Sequence, residues 1–184
     1  IASGKPSTRP SLPFPPLQPN TQDTLQTAQG FHAQILVKWG DVVNQKGEKF
    51  GYNNDFTSFL PIHGSKDGLL WVNHESSHAL FVGGKSAGQN LTRAHVQRQL
   101  SSVGGSLLRI QQRKDGAWEV NRRDPRNRRV DAETPIPLDS PRPIAGSRIA
   151  KGTLANCSGG QTPWGTFLTC EENYEKFFGQ AVWR

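Results

Sequence analysis

The sequence contains few apolar residues and no long apolar run. Hydrophobic residues make up 34% of its 184 positions, and no stretch reaches the roughly 18 consecutive apolar residues that a transmembrane helix requires. We therefore predict no membrane span. The chain begins with Ile1 rather than methionine, and no charged segment followed by an apolar stretch comes after it. This start predicts a processed or truncated N-terminus.

Cysteine is also scarce, and several catalytic motifs are missing. The two cysteines, Cys157 and Cys170, are too few for a disulfide scaffold and do not form the C-x-x-C pairs of a zinc ribbon. The sequence lacks G-x-S-x-G, G-x-x-x-x-G-K-[ST] and H-E-x-x-H. These absences argue against a serine-hydrolase elbow, a P-loop and a zincin-type helix.

Acidic residues are outnumbered, with 15 Asp and Glu against 22 Lys and Arg, for a net charge of +7. Such a balance favours anionic ligands such as phosphorylated substrates or nucleic acid, or simply gives a soluble basic surface. The basic segment 122–129 contains Pro125 and is typical of a solvated loop. Because no nucleic-acid-binding module accompanies it, we predict no nucleic-acid partner.

Glycine and proline are frequent, with 19 and 13 copies, which favours short strands and long loops. Residues 1–30 predict an extended proline-rich arm, and residues 31–184 predict an all-β domain, either a sandwich, a barrel or a propeller. The predicted elements are an alternating strand at 31–41, a strand at 66–75 that pairs with 78–84 through a tip at Ser76-Ser77, a helix within 91–103 capped by Thr92, a hairpin at 106–120 turning at Asp115-Gly116, a loop at 121–150, and a strand, glycine-rich turn and strand at 152–172.

Two strand ends carry clustered polar groups. In WVNHE (71–75), Asn73 and Glu75 are two residues apart and share one face of a strand. A buried carboxylate there needs a cation, and calcium is suited to carboxylate and amide oxygens. Alternatively, Glu75 lies at the mouth of the strand, where it is paired with an arginine or hydrated. In LTCEEN (168–173), Glu171 and Glu172 lie on opposite faces, so one of them faces inward in either orientation.

The two cysteines leave three alternatives open. A deprotonated thiol is a soft ligand for iron or zinc. If Pro163-Trp164 forms the hairpin tip, Cys157 and Cys170 lie opposite each other and a disulfide is possible, although a shift of one residue separates them. Each cysteine can also be an inert buried residue.

Several blocks of the chain resemble the PhoX-type alkaline phosphatases. These blocks, which cover the chain from about residue 30 onward, are GYNNDFTSFLPI, DGLLWVNHE, the SVGGSLLRI and GAWEV hairpin, NRR at 127–129, and the long GTLANCSGGQTPWGTFLTCEENYEKFFG. The resemblance implies an all-β fold, with residues 31–184 forming the N-terminal portion of a β-propeller. It also implies an exported, periplasmic or extracellular enzyme that hydrolyses phosphate monoesters.

The resemblance further implies an iron–calcium site. Glu75 and either Glu171 or Glu172 would be carboxylate ligands, and Cys157 would be the iron-binding thiolate. Asn73, and likewise Asn156, would either bind the metal directly or support the residues that do. Lys151 and Arg148 are candidates to contact the phosphate, or are surface residues.

The chain is far shorter than a complete propeller of this family. We therefore expect the remaining part of the same parent polypeptide to complete the fold and the site. The alternative functions are a non-catalytic propeller module that binds calcium or anions, and a basic nucleic-acid-associated domain.

Overall fold

The protein is described by a computed structural model that covers residues 14–84 and 90–173. The chain divides into two compact units, residues 1–35 and 36–184. In the first unit, the described residues 14–35 form turns and irregular structure, with the Phe14 and Phe31 ring centroids 5.0 Å apart. Every strand and helix of the described residues lies in the second unit.

The second unit is built around a five-stranded antiparallel sheet. The strand order is β1-β2-β3-β4, and β5 also pairs with β3, beyond the end of β4. The strands are β1 (Asn54–Pro61), β2 (Asp67–His74), β3 (Gly104–Gln112), β4 (Trp118–Val120) and β5 (Arg128–Val130). A short 3-10 turn, Gly64–Lys66, joins β1 to β2.

One helix and two hairpins complete the described part of this unit. The helix α1 (Arg93–Leu100) begins at Thr92, whose side chain and that of His95 form a capping box. The hairpins are β6 (Pro135–Pro137) with β7 (Ile149–Lys151), and β8 (Asn156–Gln161) with β9 (Phe167–Glu171). Among the described residues, no helix is long and apolar enough to cross a bilayer.

Strand β2 is covered on both faces, as its unbroken apolar run predicts. On one face, Val72 packs in a core cluster with Phe50 and Leu108. On the other face, Trp71 stacks on Phe167 of β9 with ring centroids 6.2 Å apart. The β8–β9 hairpin packs against β1 and β2, and this packing positions the candidate site.

The sequence predictions for β2, for the helix capped by Thr92 and for the hairpins at 106–120 and 152–172 are confirmed. The strand predicted at 31–41 is wrong: the segment has no strand, and Phe31, Ile35 and Trp39 of its supposed inner face are largely exposed. The strand predicted at 78–84 is also wrong, because Val82 and Gly84 donate to carbonyls four residues earlier, as in helical turns.

The segment 121–150 is not all loop, because it contains β5, β6 and the start of β7. Arg129 of β5 is buried and donates to the carbonyls of Val103 and Gly105, at 2.6 Å each. The arginine-rich segment, for which the sequence predicts a solvated loop, thus contributes one strand and a buried arginine to the sheet.

Candidate metal and phosphate site

The candidate site begins with two β-bulges, one in β1 and one in β8, and these two strands pack against each other. In β1, the register with β2 slips between Asn54 and Thr57. In β8, the register with β9 slips between Asn156 and Gly159. A bulge adds one residue to a strand and redirects its side chains. The two slips include Asp55 and Cys157, and the Asp55 carboxylate is the largest influence on the pKa of the Cys157 thiol.

The charges of three carboxylates act on this thiol. The hydrogen bond to Asp55 raises the pKa of Cys157 to about 11, and desolvation and the charges of Asp55, Glu172 and Glu75 act in the same direction. Negative neighbours and a carboxylate acceptor both favour the neutral thiol. Glu75 directly follows β2, and its backbone N–H donates to Asn53 at 3.0 Å. Glu172 follows β9 and donates to Ala155 at 2.9 Å.

These carboxylates have no basic partner in the described part of the chain. The ion pairs there do not include Asp55, Glu75 or Glu172. The arginine partner that the sequence leaves open for Glu75 is therefore not found among these residues. Grouping three like charges around a thiol is unfavourable unless a cation neutralises them.

The ligand set is nevertheless incomplete. Within residues 14–84 and 90–173, no three His, Cys, Asp or Glu side chains come close enough together to hold a metal ion by themselves. The donor types, carboxylates with one thiolate, suit both a hard cation and a thiophilic one. The donor types of Asp55, Glu75, Glu172 and Cys157, which are called the acidic wall below, suit a metal ion, whereas a complete set of ligands is absent from the described residues.

Asn73 connects β2 to the β8–β9 hairpin. Its side chain is fully buried and its Nδ2 donates to the carbonyls of Cys157 and Ser158, at 2.9 and 3.1 Å. Its Oδ1 accepts from Trp71 Nε1 at 2.7 Å and from Thr169 Oγ1 at 2.8 Å. All four bonding positions of the amide are used, so Asn73 holds the backbone of the Cys157 bulge in place.

Glu171 and Asn156 are engaged in the hairpin itself. Glu171 Oε1 accepts from Thr153 Oγ1 at 2.7 Å and from the backbone N–H of Leu154 at 3.0 Å. Asn156 is fully buried and donates to Thr153 and Thr169. Of the two adjacent glutamates, Glu172 is the one whose charge acts on the thiol.

Cys157 and Cys170 are both free thiols. The turn between their strands is closed by Thr162 and Thr166, with Gly165 at a φ of 81°. The register slip places one extra residue of β8 against β9 at the cysteines. The structure therefore contains the register shift that the sequence left open, and Cys170 is exposed while Cys157 is half-buried.

Lys151 and Arg148 make their contacts within the β6–β7 region. Lys151 pairs with Glu133 at 3.2 Å. Arg148 donates to the carbonyls of Ser140 and Pro141 at 3.2 and 3.5 Å. Their proposed contact with phosphate stays a prediction.

A buried polar chain lies on the opposite face of β2. His74 Nε2 is 2.8 Å from Ser106 Oγ, and the same hydroxyl accepts from Arg129 Nη1 at 3.1 Å. Burial, together with the charge of Arg129, lowers the pKa of His74 to about 2. His74 is therefore neutral, and its ring packs edge-on against Phe50 at 4.7 Å between centroids.

Asp55 is the site residue that sequence reasoning missed. It lies in the turn-rich stretch GYNNDFTSF, where an Asp after two asparagines predicts a loop. Asp55 lies within the register slip of β1 against β2. Such a slip depends on how two strands pair, so the sequence of β1 alone carries no signal for it.

A five-stranded antiparallel sheet followed by two further antiparallel hairpins is typical of part of a β-propeller. The chain belongs to the alkaline phosphatase PhoX family, whose model matches residues 12–183.

The chain is similar to a solved structure, Pseudomonas fluorescens PhoX in complex with vanadate, a transition state analogue. The sequences are 28% identical, the TM-score is 0.74, and the match covers 90% of this chain and 32% of that chain. This chain thus spans about a third of the length of that protein. Among curated proteins, none matches. The all-β assignment and the partial β-propeller fold are confirmed.

Proposed function

We propose that this chain forms part of an exported, metal-dependent phosphatase that hydrolyses phosphate monoesters. The observation that carries the proposal is the half-buried thiol of Cys157 beside Asp55, Glu75 and Glu172. Three carboxylates without basic partners among the described residues concentrate negative charge that a bound cation would neutralise. Membership of the alkaline phosphatase PhoX family supplies the reaction class.

In this proposal, Cys157, Asp55, Glu75 and Glu172 hold iron and calcium. Asn73 fixes the carbonyls of Cys157 and Ser158, and this fixes the position of the thiol. Glu171 supports the same hairpin by accepting from Thr153 and Leu154. Multivalent cations at such a site neutralise phosphate oxygens and lower the pKa of bound water.

The chain supplies one wall of the site, and we propose that other parts of the parent polypeptide supply the rest. The incomplete ligand set of the described residues and the 32% coverage of the P. fluorescens structure support this arrangement. That P. fluorescens protein binds vanadate as a transition state analogue. We therefore propose that the complete protein binds phosphate-like oxyanions at the acidic wall.

The test compares two cysteine variants of the full-length protein. Cys157→Ser should lose iron, measured by elemental analysis, and should lose turnover of p-nitrophenyl phosphate. Cys170→Ser is the matched control, because Cys170 is exposed on the neighbouring strand, and it should keep both. Vanadate should inhibit the wild-type protein.

Two outcomes contradict the proposal. Full iron content and activity in Cys157→Ser would remove the thiol from the site. Bound calcium without iron, and without turnover of any ester, would favour the non-catalytic calcium-binding module instead.

A further inference from the structure

The β1–β2 hairpin begins with an uncommon backbone conformation. Asn53, just before β1, has a φ of 51°, which non-glycine residues seldom adopt. Its carbonyl accepts the backbone N–H of Glu75, which directly follows β2, at 3.0 Å. At the start of this hairpin, β1 advances by three residues, from Asn54 to Thr57, while β2 advances by two. Asp55 lies inside the bulge that results.

The β8–β9 hairpin repeats each of these features. Ala155, just before β8, has a φ of 53°, and its carbonyl accepts the backbone N–H of Glu172, which directly follows β9, at 2.9 Å. From Asn156, β8 also advances by three residues while β9 advances by two. Cys157 lies inside this second bulge, at the position that Asp55 occupies in the first. Two uncommon backbone conformations at matching places indicate one local structure that is used twice.

The repeat has no fixed period in the sequence, because the strands differ in length. β1 and β2 have eight residues each, whereas β8 and β9 have six and five. Both hairpins nevertheless begin their first strand with asparagine, and both are followed by glutamate. The residue after the second strand is thus the same in both hairpins. The bulge position differs, with Asp55 in the first hairpin and Cys157 in the second.

The two bulges are in contact with each other. Asn73 of the first hairpin donates to the carbonyls of Cys157 and Ser158 in the second bulge, at 2.9 and 3.1 Å. A methyl group added at Gly159 would lie 2.7 Å from the ring of Phe56, which is part of the first bulge. The carboxylates of both hairpins also act on the same thiol. The repeated structures therefore contribute to one site.

The bulge residue sets the donor chemistry of each hairpin. The glutamate that follows the second strand offers carboxylate oxygens in both cases. Asp55 adds further oxygens, which suit a hard cation such as calcium. Cys157 adds sulfur, which suits a thiophilic metal such as iron or zinc. The same backbone thus presents a hard donor pair in one hairpin and a mixed pair in the other.

We propose that the bulge residue selects the cation that each hairpin binds, and that the two bulge positions are interchangeable. The inference rests on the proposed function, in which these side chains hold metal ions. Because the same backbone presents both positions, a thiol moved from position 157 to position 55 should still bind a thiophilic metal beside the glutamate of its new hairpin.

The experiment exchanges the two residues in the full-length protein, as purified. Iron is measured by elemental analysis, and iron–sulfur bonding by the visible thiolate-to-iron charge-transfer absorption. Cys157→Asp should lose both signals. Asp55→Cys combined with Cys157→Asp should recover them.

The matched control combines Thr57→Cys with Cys157→Asp. Thr57 is exposed on the same strand, but it lies past the bulge and pairs directly with Val72. This control keeps Asp55 and should recover neither signal. A folded exchange variant without the absorption, or equal recovery in the Thr57 control, would overturn the proposal.

A milder variant covers the case in which the exchanged protein does not fold. In a Cys170→Ser background and under reducing conditions, Asp55→Cys leaves Cys157 in place and adds a second thiol. Titration with cadmium, a thiophilic ion, should then raise the near-ultraviolet cadmium–thiolate absorbance by about twofold, since two thiolates replace one. Thr57→Cys in the same background should leave the absorbance unchanged. No increase in Asp55→Cys, or an equal increase in both, would overturn the proposal.

The proposed function can fail separately, if the wild-type protein contains no iron. Cadmium titration then tests the interchange alone. Cadmium–thiolate absorbance that is present in wild type, lost in Cys157→Asp and restored in the exchange variant supports the inference. A wild-type protein that binds no cadmium through its thiol, or an exchange variant without the absorbance, overturns it.

Discussion

The amide of Asn73 is the contact whose removal tests the architecture of the site most directly. Asn73→Ala removes four hydrogen bonds, to Trp71, Thr169, Cys157 and Ser158. A buried polar group left without a partner costs about 1–3 kcal/mol. The Thr169 hydroxyl can rotate and the two carbonyls are partly solvated, so the indole N–H of Trp71 carries most of the cost. We expect a total loss of about 3–5 kcal/mol, cavity included.

The assay is urea unfolding of the full-length protein combined with hydrogen exchange. Asn73→Ala should lower amide protection in residues 156–171, because the hairpin loses its side-chain connection to β2. Gln45→Ala is the control, since Gln45 is exposed, and it should change neither quantity. A loss under about 1 kcal/mol with unchanged protection would refute the reasoning.

Asn73→Asp separates a structural role from metal ligation. Aspartate keeps the oxygen that accepts from Trp71 and Thr169, but it replaces the donating nitrogen with an oxygen facing the Cys157 and Ser158 carbonyls. A structural connection predicts lower stability and lower metal content in this variant. If Asn73 is instead a metal ligand, the carboxylate should preserve or increase metal content.

Three further predictions concern other residues. Glu172→Gln should lower the content of bound metal without loss of thermal stability. Glu171→Ala should instead lower the free energy of unfolding by about 1–2 kcal/mol, because it loses the bonds to Thr153 and Leu154. The opposite result in elemental analysis and thermal melting would make Glu171 the metal ligand and Glu172 the structural residue. Because the pKa of His74 is lowered from 6.5 to about 2, only the unfolded state binds this proton between those values, so stability should fall as pH drops below 6.5, by about 2 kcal/mol at pH 5. His74→Asn should flatten that part of the stability profile, and an unchanged profile would contradict neutral burial. Gly105→Ala would place a methyl group 2.1 Å from Trp71 Cζ2 and should lower the melting temperature, while Gly160→Ala, with nothing within 4 Å, should not; equal melting temperatures would show that Trp71 can move aside.

The sequence predicts the elements whose signals are local. The apolar run of β2, the Thr92 cap of α1 and the Asp115-Gly116 turn each depend on neighbouring residues, and each is present. The strand predicted at 31–41 is wrong because the alternation of apolar and polar residues does not show whether a neighbouring strand is available for pairing. No strand pairs with that segment among the described residues, and Leu36 and Val37 pack against the core instead.

The candidate site could be predicted only in part, because some of its residues follow from local patterns and others depend on contacts between strands. Asn73, Glu75 and Glu172 stand at strand ends, where periodicity assigns faces. Asp55 depends on a bulge, and a bulge results from how two strands pair rather than from the residues of one strand. The choice between Glu171 and Glu172 likewise depends on tertiary contacts, because adjacent residues of equal charge have no local feature that separates them.

Asn73 and His74, the last two residues of β2, point to opposite faces of the sheet. Their contacts explain how β2 stays stable although the acidic residue Glu75 follows its end. Asn73 and His74 are both fully buried, yet Asn73 binds the hairpin that carries Cys157, while His74 contacts Ser106 on the other face. His74 stays neutral and so adds no positive charge beside Arg129. The negative charge of Glu75, one residue further on, is then left without a basic partner among the described residues. In the proposed site, a strand end that is fixed on both faces by neutral polar groups would let Glu75 bind a cation with little reorganisation.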